Sequence, residues 1–218
     1  MSSATHGRPS SPAAVVICGG ASRRMGRPKA WLPFGGELLL QRVVRLVGEA
    51  AAPIVVVAAP GQDLPPLPAG VAIVRDPIPG RGPLQGLAAG LAALPVGVDL
   101  AYATATDGPF LATGWVARLA ELIGDQHAAV PRAGGFLHPL AALYRKSPAL
   151  AVIEALLRAD RLRTTGLIEA LRTRIVEPGE LADIDPGLRT LCNLNTPEDY
   201  ARALAEAQSG LIPPSSPC

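Results

Sequence analysis

Arg23, Arg24, Arg27 and Lys29 share the short stretch from Gly20 to Lys29 with Gly26, and Gly19 stands directly before it. Glycines let backbone N–H groups come close to a ligand. Amides exposed in that way beside clustered positive charge suit the oxygens of a polyphosphate. The stretch follows a buried apolar run, Val15-Val16-Ile17, and precedes a helix-period pattern opening at Leu39-Leu40. It is therefore a long loop at a strand's C-terminal end, where open α/β sheets bind their ligands. A Walker A loop is excluded, because Arg27-Pro28 separate Gly26 from Lys29. The dinucleotide fingerprint G-x-G-x-x-G is excluded because Gly19 and Gly20 are contiguous.

Five more positions carry usable chemistry. Asp107 ends an apolar strand, and a carboxylate opposite a cationic phosphate loop makes physical sense when a cation lies between, usually Mg²⁺. Asp76 also follows a short strand; it is either a ligand contact or an Asp-Pro turn starter. Asn193 and Asn195 flank Leu194, so in an extended chain both amides face one way. They could serve a hard cation, a sugar or a base, or simply the turn before the next helix. His138, before Pro139, is a loop histidine that is either structural or functional. Neither a Ser–His–Asp spacing nor a His/Cys metal cluster is present, so acyl-enzyme and zinc chemistry are not indicated.

The elements that must hold these groups alternate. Strands are expected over Ala13 to Cys18, Ile54 to Val57, Val71 to Val74 and Leu100 to Thr106. Between the first two, Leu39, Val43, Leu46, Val47 and Ala50 fall on one helical face, opposite Gln41, Arg42, Arg45 and Glu49. Pro60 to Ala69 reads as a surface connection. A helix led by Pro83 carries Leu84, Leu87, Leu91 and Leu94 on one stripe and Gly86, Ala89, Gly90 and Ala93 on the other, which predicts a very close neighbour. Successive β-α-β crossovers give an α/β fold with a parallel sheet. Further on, Val130 to Arg132 and Leu140 to Tyr144 suggest two strands joined by a turn near Gly134-Gly135. Helices follow at Ala149 to Leu157 and Thr165 to Leu171, then a short strand at Arg174 to Glu177. Leu191 to Leu194 read as extended. The closing helix starts at Pro197, with Thr196 as N-cap and Asp199 completing a capping box.

The bulk properties set bounds. A chain of 218 residues suits a single domain over 13–208, with terminal tails at 1–12 and 209–218. Apolar residues make up 49% and aromatics 4%, so the core is built of Ala, Val and Leu. The net charge of +2 does not point to nucleic acid. Cys18, Cys192 and Cys218 read as small buried or tail thiols in a reducing compartment, and the lack of a long apolar stretch suggests a cytoplasmic protein without membrane contact.

The loop Gly19-Gly20-x-Ser22-x-Arg24-Met25-Gly26-x-x-Lys29 resembles the signature of the nucleotidyltransferases that act on molybdopterin, most closely the molybdenum cofactor guanylyltransferase family. The resemblance runs from about Ala14 to Leu204. It takes in Asp76, Gly82-Pro83-Leu84-x-Gly86-Leu87, Asp107-Gly108-Pro109, His138-Pro139 and Asn193-x-Asn195-Thr196-Pro197-Glu198-Asp199. It implies a three-layer sandwich with a mostly parallel, Rossmann-like sheet of the nucleotide-diphospho-sugar transferase type. The nucleotide half would be about 13–112 and the acceptor half about 113–208.

The reaction so implied is transfer of GMP from GTP to the phosphate of molybdopterin or Mo-molybdopterin, with release of pyrophosphate. Nucleotide-binding roles fall on Ile17, Cys18, Gly19, Gly20, Ser22, Lys29, Asp76, Gly82, Pro83 and Asp107. Lys29, Arg24 and Asp107 are the catalytic candidates, with Mg²⁺ on Asp107 aided by Asn195. His138, Arg145 and Asn193 would face the acceptor. A molybdenum-insertion protein or apo-molybdoenzymes are the candidate protein partners. One departure bears on base selectivity: Ala58-Ala59-Pro60 stand where the family often has an asparagine that contacts the guanosine. Gly19-Gly20 favours guanylyl transfer, since cytidylyl relatives more often carry alanine before the second glycine. The alternatives are a molybdopterin cytidylyltransferase, a sugar-1-phosphate nucleotidyltransferase, and a non-catalytic nucleotide-binding regulator; Lys29 and Asp107 argue against the last.

Overall fold

Short runs of β-branched and small apolar residues become the strands of the main sheet, and its central strands are buried on both faces. The computed structural model describes residues 11–19, 27–78 and 80–209. β1 (Ala13–Ile17) is buried throughout, and its alternate side chains enter different cores: Ala13, Val15 and Ile17 one, Ala14 and Val16 the other. A 3-10 turn at Lys29–Trp31 leads into a small hairpin, β2 (Pro33–Phe34) and β3 (Glu37–Leu38), and then α1 (Leu39–Gly48). Next come β4 (Ile54–Ala58), β5 (Ala72–Arg75), α2 (Gly82–Ala93) and β6 (Leu100–Ala105). The expected alternation is therefore present to this point.

The second half adds α3 (Trp115–Leu122), β7 (Ala128–Ala133), β8 (Phe136–Leu137), β9 (Ala141–Arg145), α4 (Lys146–Arg158), α5 (Thr164–Ala170), β10 (Thr173–Val176) and α6 (Pro197–Ser209). The strand order is β10-β7-β9-β6-β1-β4-β5, with β8 paired to β7 across a turn at Gly134-Gly135. β9 runs antiparallel to both of its neighbours, whereas β6, β1, β4 and β5 run parallel, as do β7 and β10. The sheet is thus mixed and mostly parallel, with helices on both faces. Among the described residues no helix is long and apolar enough to cross a membrane.

α2, α4 and α5 cover one face of the sheet; α1 and α3 cover the other. The close neighbour that the small residues of α2 predicted is the sheet itself. A Cβ added at Gly90 would lie 2.3 Å from Val15 Cγ1 and 3.0 Å from Val57 Cγ2. Only glycine lets the helix axis come that near, because interiors are packed without spare space. Nothing in the sequence reading anticipated α3; its apolar face is Trp115, Val116 and Leu119. Leu191 also departs from expectation, since it ends a 3-10 turn, Arg189–Leu191, before the chain extends.

A third, smaller core lies beneath one end of the sheet. Leu32, Phe34 and Leu39 meet Leu194 and Ala203 there, with Phe110, Tyr200 and Leu204 packed around them. Phe34 and Phe110 meet edge to face at 5.8 Å, a favoured aromatic geometry. The capping box forms as read: Asp199 N donates to Thr196 Oγ1 at 3.1 Å, and Thr196 N donates to Asp199 Oδ2 at 3.0 Å. Cys18 is a free buried thiol, while Cys192 is disulfide-bonded, so the expectation of a free thiol there does not hold.

Candidate functional site

Parallel strands deliver their C-terminal ends to one edge, and the loops leaving β1, β4, β5 and β6 all emerge there. The turn after β1 is drawn tightly over β4. Cys18 N and Gly19 N both donate to Val57 O, at 2.7 and 3.2 Å. A Cβ on Gly19 would stand 3.2 Å from Ala59 N, so this close approach favours glycine. Gly20, Ser22 and Arg24, the remaining loop candidates, lie outside the described residues.

Lys29 returns from that loop to meet β6. Its Nζ donates to Asp107 Oδ2 at 2.8 Å, and the two side chains are 20% and 23% exposed. A cation from the first loop and a carboxylate from the fourth parallel strand are thus in direct contact at the ligand edge. Leu194 N donates to Asp107 O at 2.9 Å, which lays the Asn193–Asn195 segment against the same turn. Leu194 is buried, and Asn193 and Asn195 are exposed on either side of it. The capping carboxylate of Asp199 also accepts from Asn195 N at 3.2 Å, tying this segment to α6.

Asp76 lies at the β5 end of the same edge. Its N–H donates to Ala58 O at 2.8 Å, and its Oδ1 accepts from Ile78 N at 3.0 Å, so the turn geometry is present whatever else the residue does. Gly82 and Pro83 open α2 just beyond. Ile17 and Cys18 are nearly buried. Burial pushes the Cys18 thiol up, against hydrogen bonds to Thr106 and Gln62. It is a packing thiol at neutral pH, not a nucleophile.

β9 begins at this edge, because Ala141 pairs with Thr104 near the end of β6. His138 sits immediately before it, with its N–H on Pro131 O at 2.9 Å and its carbonyl accepting from Ala141 N at 3.1 Å. Burial holds the His138 imidazole below the usual histidine range, with a hydrogen bond to the Ala133 backbone working the other way. It is neutral at pH 7.

Arg145 does not join this group. β9 is antiparallel, so its last residue pairs with Leu100 at the start of β6, on the opposite edge. There Arg145 bonds Asp99, donates to Gln126 O at 3.1 Å, and donates to Gly124 O at 2.8 Å. Tyr144 is fully buried and gives its hydroxyl to Pro139 O at 2.9 Å. The expectation that Arg145 faces an acceptor is corrected by strand direction.

The sequence reading passed over Gln62, in the proline-rich connection after β4. Its Oε1 accepts from Ala59 N at 2.9 Å, and its Nε2 donates to Cys18 O at 3.2 Å. A polar residue in a turn-rich segment close behind a buried strand was the available signal. Among the described residues no group of three or more His, Cys, Asp or Glu side chains could hold a metal by itself.

The model of the MobA-like NTP transferase domain matches residues 14–174 of the chain. A probable molybdenum cofactor guanylyltransferase of Mycobacterium bovis is 42% identical over 163 residues, covering 72% of this chain and 79% of the relative. A probable molybdenum cofactor guanylyltransferase of Mycobacterium avium is 39% identical over 201 residues, covering 90% and 96% respectively. Among solved structures, the molybdopterin-guanine dinucleotide biosynthesis protein A of Archaeoglobus fulgidus superposes with a TM-score of 0.75 at 22% identity, over 90% of this chain and 99% of that one.

Proposed function

The chain belongs to the MobA-like NTP transferase domain family, and from that membership we propose that it transfers GMP from GTP to the phosphate of molybdopterin. The observation that carries the reading is the contact between Lys29 and Asp107 at the ligand edge. An oxygen of the acceptor phosphate attacks the α-phosphorus of GTP. One P–O bond forms, the bond to the β-phosphate oxygen breaks, and pyrophosphate leaves with the electron pair. The second pKa of a phosphate monoester lies near ~6, so the acceptor is already largely ionised at neutral pH and no strong base is required. This matches a site whose histidine is neutral and whose one nearby thiol is buried. The chain's work is to bring two anions together in line and to offset their charge.

In this reading Lys29, with Arg24 in support, takes the triphosphate, while the Gly19 N–H stays with Val57 O. Asp107 and the neutral oxygen of Asn195 would hold a divalent cation, most naturally Mg²⁺. A single carboxylate suits that ion, which keeps waters and shares itself with substrate phosphates. When bound, the cation neutralises charge on the phosphoryl oxygens. Nucleotide binding would draw Lys29 from Asp107 to a phosphate and leave the carboxylate available to hold the cation. Asp76, with Gly82 and Pro83, lines the nucleoside end. His138 and Asn193 face the acceptor, and the neutral imidazole contributes a hydrogen bond without adding charge. Residues 13–112 supply most of the nucleotide side and 113–208 most of the acceptor side.

Incubation of the purified protein with GTP, Mg²⁺ and molybdopterin should release pyrophosphate in proportion to acceptor consumed. Release with CTP and none with GTP would overturn the guanylyl reading. Release with neither would overturn nucleotidyl transfer to this acceptor.

A further inference from the structure

We propose that Gln62 reads the nucleobase, its carboxamide N–H donating to a carbonyl oxygen on the base and so favouring guanine over adenine. The inference rests on the nucleotidyl-transfer reading and names what selects the nucleotide. It starts from place. Along the ligand edge the strands run β6, β1, β4, β5, so Asp107 stands at one end, Asp76 at the other, and Gln62 between them at the exits of β1 and β4. Neighbouring strands lie about 4.8 Å apart, which sets Gln62 some 5–10 Å along the edge from the Lys29–Asp107 contact. With phosphates at that contact, the ribose spans this interval and the base arrives over Gln62.

The orientation of the amide is fixed by chemistry. Ala59 N–H can only donate and Cys18 C=O can only accept, so Oε1 must face the first at 2.9 Å and Nε2 the second at 3.2 Å. Arg75 anchors the backbone of the same residue, with Nη1 donating to Gln62 O at 2.7 Å and to Ala59 O at 3.2 Å. The amino group therefore stays put. It has two hydrogens, and its second contact is Cys18 Sγ at 3.4 Å. A thiol sulfur is a weak acceptor, so a carbonyl oxygen brought alongside captures that N–H at little loss. Guanine offers such an oxygen. Adenine presents an amino group at the corresponding position, which would meet a donor with a donor. Because Ala58, Ala59 and Pro60 have no polar side chain, Gln62 is the first side chain after β4 that can make this contact.

The test is nucleotide preference, which a purely structural cross-link between β1 and β4 would not move. Binding of GTP, ATP and CTP, each with Mg²⁺, is measured by calorimetry on wild type, Gln62→Leu and Gln62→Glu, with unfolding midpoints as the check on folding. Gln62→Leu should lower the GTP:ATP affinity ratio by about tenfold or more, mainly by weakening GTP, since one hydrogen bond is lost. Gln62→Glu should lower it further, because a carboxylate accepts from an amino group. Where a variant fails to fold, wild type carries the test alone: the triphosphate of 2-aminopurine riboside, which lacks the 6-oxygen, should bind about tenfold more weakly than GTP. Ratios within twofold of wild type in the folded variants, or equal binding of that analogue and GTP, would overturn the role of Gln62. A wild type without any preference for GTP would overturn the guanylyl reading itself, and the two failures are told apart by that first measurement.

Discussion

Replacing Asp107 with asparagine should change GTP binding in opposite directions with and without metal. In the resting structure Asp107 holds Lys29 at 2.8 Å, with both side chains about one-fifth exposed. A partly exposed pair of this kind is worth roughly 1 kcal/mol net, since the Coulomb gain is largely offset by desolvation and lost side-chain freedom. Metal-free GTP must break that pair to reach Lys29. Asp107→Asn removes this obstacle and also removes a negative charge that repels the triphosphate. In EDTA the variant should therefore bind GTP about fivefold more tightly than wild type, the factor that 1 kcal/mol supplies. With Mg²⁺ present the sign reverses, because the cation has lost its carboxylate. Turnover should fall at least about a hundredfold, as several kcal/mol of charge stabilisation go with the ion. Isothermal calorimetry in EDTA and in Mg²⁺, with a pyrophosphate assay beside it, reads all three quantities. Equal weakening of GTP under both conditions, or undiminished turnover, would refute the reasoning.

Gly90→Ala should destabilise the fold by about 1–3 kcal/mol despite alanine's better helix propensity, because Val15 and Val57 are buried and β-branched and cannot give way. Gly86→Ala, whose new Cβ would rest 3.4 Å from Ile17 Cγ2, should be near neutral; urea unfolding of the two variants checks the contrast. His138 is held below its usual range when folded, so the unfolded chain takes up the proton first as pH falls. Stability should therefore decline between about pH 7 and pH 5, and His138→Gln should flatten that slope in denaturant midpoints. Arg145→Ala should lower thermal stability by releasing Asp99 and the Gly124 and Gln126 carbonyls, while leaving the KM for the acceptor unchanged.

The parallel half of the sheet was legible because its signals are local. β1 and β4 are unbroken β-branched or small runs, and each is followed by residues that cannot continue a strand. The glycine-and-alanine side of α2 likewise announced close packing, although not its partner. The capping box at Thr196 and Asp199 needed only spacing. What failed needed tertiary information. Nothing in Ala141–Arg145 encodes the direction in which that strand enters the sheet, and direction alone sends Arg145 to the far edge. α3 is only eight residues long, too short for a periodic pattern to stand out. The place of Gln62 is fixed by two backbone groups that are distant or unremarkable in sequence, Cys18 and Ala59, brought together by the β1–β4 pairing. The contact of Lys29 with Asp107 could be expected from the motif resemblance, but its directness could not.

The small apolar cluster around Phe34 links residues that the chain separates widely. Lys29 lies three positions before Leu32, Asp107 three before Phe110, and Asn195 one after Leu194, and each of those neighbours is seated in that cluster. The cation, the carboxylate and the amide therefore share one foundation, so a shift in it moves all three together. A substitution such as Ala203→Val, within that cluster, would thus retune the reaction's geometry without altering a single group that performs it.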